Sequence, residues 1–229
     1  MTRKDGDMAG PVLILVRHGE TQANVEHRLD TVPPGEPLTA TGWTQAKDTG
    51  EQLAGRPVAA VYSSTALRAQ QTATALAAPH AVPVRVLDGV HEIFCGDFEN
   101  SSDPKERELF EEIFASWADG DLSRPLPGGE SAADLLARFL PVLDVLWREH
   151  ADRPKQPIVL VSHGAAIRIV AQALLGEPVA TRYMPNAGRA ELVPAEGAPW
   201  PGSWRLEFWT EGEPPPGDPT GGSDDRPAR

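Results

Sequence analysis

The sequence has a single cysteine, Cys95, among 229 residues, so no disulfide can form within the chain and packing alone must hold it together. Apolar runs are short. Val12–Val16 and Ile158–Val161 hold five and four aliphatic residues, far below the roughly 20 needed to cross a bilayer, and the first is too short for the apolar centre of a secretion signal. Basic residues are in deficit, with 21 Lys and Arg against 33 Asp and Glu and a net charge of −12. A surface this acidic excludes nucleic acid and anionic membrane as natural partners. The expected setting is the cytoplasm, where a lone thiol stays reduced.

The apolar fraction, 40%, is also low, and the cause is local. From Glu211 onward five acids (Glu211, Glu213, Asp218, Asp224, Asp225) face only Arg226 and Arg229, among Pro214-Pro215-Pro216 and Gly221-Gly222. Such a segment cannot bury enough apolar surface to order itself. The expected organisation is a flexible N-terminus at 1–10, one α/β domain at 11–210, and a disordered acidic tail at 211–229. About −9 of the net charge then stays on the body. A phosphorylated substrate would have to be held by local positive charge against that field.

What the chain does have is Arg17-His18-Gly19-Glu20, placed where Val12–Val16 ends. An aliphatic run that stops abruptly at charge reads as a buried strand delivering residues to a site, and in open α/β sheets ligands bind at that end. The pattern occurs twice, since Ile158–Val161 runs into Ser162-His163-Gly164. Two histidines delivered alike from distant positions point to one site.

Between them strand and helix alternate. Strands are expected at 12–17, 58–62, 84–87 and 158–162, with two late ones at 189–193 and 203–209. A short helix begins near Glu20. Thr39 or Thr41 caps a helix to Leu53, Ser63-Ser64 caps one through Ala77, and Gly164 to Leu175 form another that stops at Gly176. Ser131 to Asp134 read as a capping box for a helix to His150, which Pro141 should bend. This rhythm predicts a three-layer α/β/α sandwich with a mostly parallel sheet. It breaks at 95–130, where a helical piece at 104–117 precedes Pro125-Leu126-Pro127-Gly128-Gly129, the sign of a small helical cap insertion. Trp204, Phe208 and Trp209 on the last strand would suit a homodimer edge, and core packing accounts for them equally well.

Phosphoryl transfer without a metal needs an in-line nucleophile, fixed positive charge around the phosphoryl oxygens, and an acid for the leaving alkoxide. His18 supplies the nucleophile if a backbone carbonyl fixes its tautomer. Arg17 can fork two phosphate oxygens, and His163 sits at a helix start that favours an anion. Arg68, near the start of the helix after the second strand, is unfavourable to the helix dipole unless it shares an anion with it. Glu92, in His91-Glu92-Ile93-Phe94, is the acid candidate. Cys95 nearby reads as an incidental thiol rather than a nucleophile.

Together these segments resemble the histidine phosphatase superfamily, the phosphoglycerate mutase-like proteins. The resemblance covers roughly 12–175. It rests on Arg17-His18-Gly19-Glu20-Thr21 with Asn24, Leu38-Thr39 with Gly42 and Gln45-Ala46, and Ser63 through Thr72 around Arg68. Glu92 with Gly96 and Glu99, Pro127-Gly128-Gly129-Glu130-Ser131, and Ser162-His163-Gly164 complete the order. It implies that His18 is phosphorylated, that Glu92 donates the proton, and that Arg17, Arg68, His163 and Gly164 form the phosphate pocket, with a hydrogen bond from Asn24. No metal and no cofactor is implied. Glycine after the second histidine sets the chain apart from the acid-phosphatase branch, which typically has aspartate there. One departure is Gly96-Asp97-Phe98-Glu99-Asn100, where relatives often end in glycine; Asn tolerates the left-handed backbone that glycine serves.

The leading reading is a phosphomonoesterase acting on a small phosphorylated metabolite. A mutase must also hold a bisphosphorylated cofactor, yet from Glu99 to Asp121 eight acids face Lys105 and Arg107 alone. A non-catalytic phosphoester-binding protein on the same fold is the reading from a different class.

Overall fold

The computed structural model describes residues 10–153, 156–195 and 203–213. The segment expected to be flexible at 1–10 falls outside these except for Gly10, and the tail does so beyond Glu213.

Six strands form one sheet: β1 (Leu13–Arg17), β2 (Ala60–Ser63), β3 (Val84–Val86), β4 (Ile158–Ser162), β5 (Arg189–Pro194) and β6 (Trp204–Trp209), in the order β3-β2-β4-β1-β5-β6. The first four run parallel, and β5 and β6 extend the sheet antiparallel. Every residue of β1 and β4 is buried, as expected for aliphatic strands covered on both faces.

Alternation splits these strands between two cores. Leu13 and Leu15 with Ile158 and Leu160 face one, and Ile14 and Val16 with Val159 and Val161 face the other. The second core is closed by α2 (Ala40–Leu53) and α3 (Leu67–Ala77) through Leu53, Ala69, Ala73 and Leu76. The first is closed by α4 (Pro104–Ala118), α5 (Ala132–Glu149) and α6 (Gly164–Leu175) through Phe110, Phe114, Trp117, Leu135, Phe139 and Ile167. A four-residue α1 (Gln22–Val25) follows β1 directly. This is the expected three-layer sandwich.

Local signals explain the helix ends. Thr39 caps α2 by accepting from the Gly42 amide at 3.0 Å. Ser131 and Asp134 form the reciprocal box on α5, which runs unbroken through Pro141. One expectation fails. Ser63-Ser64 do not cap α3, which starts at Leu67 with Ala66 at its N-cap and no side-chain cap bond. Ser64 is drawn away instead, its Oγ lying 2.7 Å from His163 Nε2. Asn100 adopts φ 63°, so the left-handed turn read from its sequence context is present.

Candidate active site

Parallel pairing of β1 with β4 sets Arg17 opposite Ser162. His18 and His163 therefore leave the sheet side by side, with ring centroids 5.2 Å apart and planes inclined at 60°. The loop after β1 is locked by side chains from three directions. The Gly19 amide donates to Thr72 Oγ1 at 3.0 Å, and the Glu20 amide to Gln45 Oε1 at 2.9 Å. The His18 carbonyl accepts from the Ala187 amide at 3.0 Å and from Asn186 Nδ2 at 3.2 Å.

His18 Nδ1 lies 2.7 Å from the Gly19 carbonyl, an acceptor only, so Nδ1 carries the proton and Nε2 keeps its lone pair. Burial first, then the Arg68 and Arg17 charges, hold its pKa well below the ordinary 6.5. His163 is fully buried, with its pKa lowered by burial and then by Arg68. Its Nδ1 accepts from Arg68 Nη2 at 3.2 Å, which leaves Nε2 as the donor to Ser64 Oγ. His163 thus stands beneath Arg68 and against the flank of His18, and it is not part of the pocket's open wall.

Arg17 and Arg68 are both nearly inaccessible, at 3% and 2% exposure. Arg17 Nη1 donates to the Met184 carbonyl at 2.6 Å, while its buried Nε has no acceptor among the described residues. A buried guanidinium N–H without a partner is costly and marks a place for an anion. Gly164 makes this placement feasible, because a Cβ there would stand 3.2 Å from Arg17 Nε. Arg68 donates through Nη2 to the Asp30 carbonyl at 2.7 Å and pairs through Nη1 with the Asp30 carboxylate at 3.3 Å. Gly35, at φ 64°, leaves the room that this guanidinium occupies.

Glu92 sits across the same pocket at the N-terminus of α6. Its carboxylate accepts from the Ala165 amide at 3.1 Å, the Ala166 amide at 2.9 Å and the Ile93 amide at 2.8 Å. The pocket brings together Arg17, His18, Asn24, Arg68, Glu92 and Gly164. Asn24 turns its Oδ1 to the Thr21 amide at 3.1 Å and to Asn186 Nδ2 at 3.1 Å, which leaves its own Nδ2 as the donor for a ligand. Cys95 does not belong to this set. Burial pushes its thiol up, and its Sγ donates to Glu99 Oε2 at 3.0 Å. Among the described residues no cluster of His, Cys, Asp and Glu is arranged to hold a metal.

Residues 13–211 match the model of the histidine phosphatase superfamily, branch 1. The chain belongs to this superfamily. It is 33% identical over 216 residues to glucosyl-3-phosphoglycerate phosphatase of Mycobacterium tuberculosis, covering 86% of this chain and 93% of the relative. Adenosylcobalamin/alpha-ribazole phosphatase of Escherichia coli is 30% identical over 170 residues, covering 72% and 80%. The native structure of the mycobacterial glucosyl-3-phosphoglycerate phosphatase superposes with a TM-score of 0.75 at 30% identity, over 89% of this chain and all of that one.

This histidine phosphatase holds the Glu92 segment through a network that motif reading does not reveal. Arg138 on α5 donates to the carbonyls of Gly89, His91 and Glu92 at 3.0, 2.9 and 2.8 Å, and to both oxygens of Glu130 at 2.8 Å. Glu130 in turn receives the Phe94 amide at 3.0 Å. Asp30, Asn186 and Arg138 carry no local signal in the sequence, because their partners are distant along the chain. Thr72 had one: it lies one helical turn beyond Arg68 and donates to its carbonyl at 2.8 Å.

Two buried neutral imidazoles make stability depend on pH. Both folded-state pKa values lie below the unfolded 6.5, so the unfolded chain binds more protons on acidification. Their contribution is full above about pH 6.5 and falls toward acid by up to roughly 1.4 kcal/mol per pH unit for each ring. Urea unfolding between pH 8 and 5.5 should show that decline, and His163→Gln should reduce its slope. A flat profile would contradict the buried neutral pair.

Proposed function

We propose that this enzyme is a metal-independent phosphomonoesterase that hydrolyses a small phosphorylated metabolite through a phosphohistidine at His18. The observation that carries the reading is the His18 ring, fixed with Nε2 unprotonated in the same pocket as Arg17, whose buried Nε has no acceptor among the described residues. The phosphate settles against Arg17, Arg68 and Asn24. His18 Nε2 attacks phosphorus, the ester P–O bond breaks, and the leaving alkoxide takes the proton of Glu92. Water then attacks the phosphohistidine and gives its proton back to the Glu92 carboxylate, which releases phosphate and restores both groups.

His163 acts from below, by fixing the Arg68 guanidinium. Burial of both guanidinium groups strengthens their hold on charge that develops on the phosphoryl oxygens. The cap at about 95–130 contributes Phe110 to the wall facing the leaving group. The two relatives are named as phosphatases of small phosphorylated metabolites, glucosyl-3-phosphoglycerate in one case and adenosylcobalamin or alpha-ribazole compounds in the other, which supports phosphatase action on a small metabolite here. A mutase reading needs a second anion site near the first, and Arg28, the pocket guanidinium outside the proposed phosphate site, is already paired with Glu26 and Glu36.

The test is phosphate release in EDTA from a panel of mono- and bisphosphate esters. Metal-independent turnover is the expected result. Absence of release from every ester, with phosphate exchange between two acceptors instead, would transfer the assignment to the mutase reading.

A further inference from the structure

Beyond the phosphate end, the pocket is lined by the apolar Leu29, Ile93 and Phe110 and by the polar Asn24, His27 and Arg28. Arg28 is the guanidinium of this outer wall, and it is engaged on three sides. Its Nε donates to Glu26 Oε2 at 3.2 Å, its Nη1 to Asn100 Oδ1 at 3.0 Å, and its Nη2 to Glu36 Oε1. The left-handed backbone of Asn100 turns a side chain to this cation at the edge of the cap. Nearby Asp30 is paired with Arg68. Arg28 in the pocket lining is therefore one cation set against two carboxylates, Glu26 and Glu36, that stand outside that lining. A ligand carboxylate that approached Arg28 would have to displace Glu36 or Glu26 and would then face the displaced charge at close range.

From these contacts we infer that Arg28, Glu26 and Glu36 form an anion filter, so that the enzyme selects phosphate monoesters whose alcohol part is uncharged and rejects those with a carboxylate or second phosphate near the ester. The filter acts on the substrate of the phosphatase reading above and rests on it. Leu29, Ile93 and Phe110 add that the accepted alcohol presents an apolar face to the cap.

The experiment is competition against hydrolysis of p-nitrophenyl phosphate at pH 8. Glycerol 3-phosphate and 3-phosphoglycerate are a matched pair that differ by a hydroxymethyl group against a carboxylate. Glycerol 3-phosphate, whose alcohol part is uncharged, should bind the wild type about tenfold more tightly. Glu36→Gln removes one of the two opposing charges, and should narrow that ratio by about fivefold, mainly by tightening 3-phosphoglycerate. Arg28→Met in the same background should erase the gain, because the gain runs through the guanidinium.

Equal binding of the pair to the wild type, or an unchanged ratio in Glu36→Gln, overturns the filter, as does failure of both esters to compete. If the wild type does not hydrolyse p-nitrophenyl phosphate at all, the phosphatase reading itself fails. A circular-dichroism spectrum of Glu36→Gln that matches the wild type shows that the variant is folded.

Discussion

His18→Ala lowers phosphate release by at least about 10⁴-fold, because no other group in the pocket can take over the attack. His163 is the nearest imidazole, yet its two nitrogens are committed to Arg68 and Ser64, and it is fully buried. Cys95 is held as a neutral thiol facing Glu99. The variant should still bind phosphate, since Arg17, Arg68 and Asn24 are untouched. Rapid-quench labelling with a radioactive ester checks the covalent step. Wild-type enzyme should carry an acid-labile, alkali-stable label, and His18→Ala none. A label of normal stoichiometry in the variant would remove His18 from the nucleophile's role.

Glu92→Gln produces a second large effect, and one that depends on the substrate. In the proposed reaction the Glu92 carboxyl group protonates the leaving alkoxide and, as the carboxylate, later deprotonates water, so alkyl phosphates should lose about 10²–10⁴-fold in kcat. The amide is close in shape and leaves the three-amide cradle at the start of α6 mostly filled. With p-nitrophenyl phosphate the first step needs no proton, because nitrophenolate departs as the anion. Stopped-flow absorbance should then show a burst of one nitrophenolate per enzyme, followed by slow turnover limited by hydrolysis of the phosphohistidine. An equal loss on both ester types, with no burst, would mean that Glu92 supports the structure and does not transfer the proton.

Why some of this was legible in the sequence follows from the reach of each signal. β1 and β4 announce themselves as aliphatic runs ending at His-Gly, and their pairing follows because buried parallel strands must lie in the sheet's centre. Thr39, Ser131 and Gly176 end or begin helices through bonds to residues within one turn, so short sequence windows contain the whole interaction. Ser64 misled for the same reason. Its hydroxyl could serve a local cap or His163, which lies 99 positions away, and the distant partner won. Asp30 and Arg138 exert their effects only across the folded chain, on Arg68 and on the Glu92 backbone, and nothing near them in the sequence hints at it.

The start of α6 touches both halves of the chemistry: its amides hold Glu92, while its first glycine leaves room for Arg17. In the proposed mechanism, proton donor and anion cradle are therefore referenced to a single datum and stay aligned when α6 shifts as a body. The outer wall hangs on other segments, at 26–36 and 100–110. Substrate preference can drift across generations through those segments while the reaction geometry is inherited unchanged.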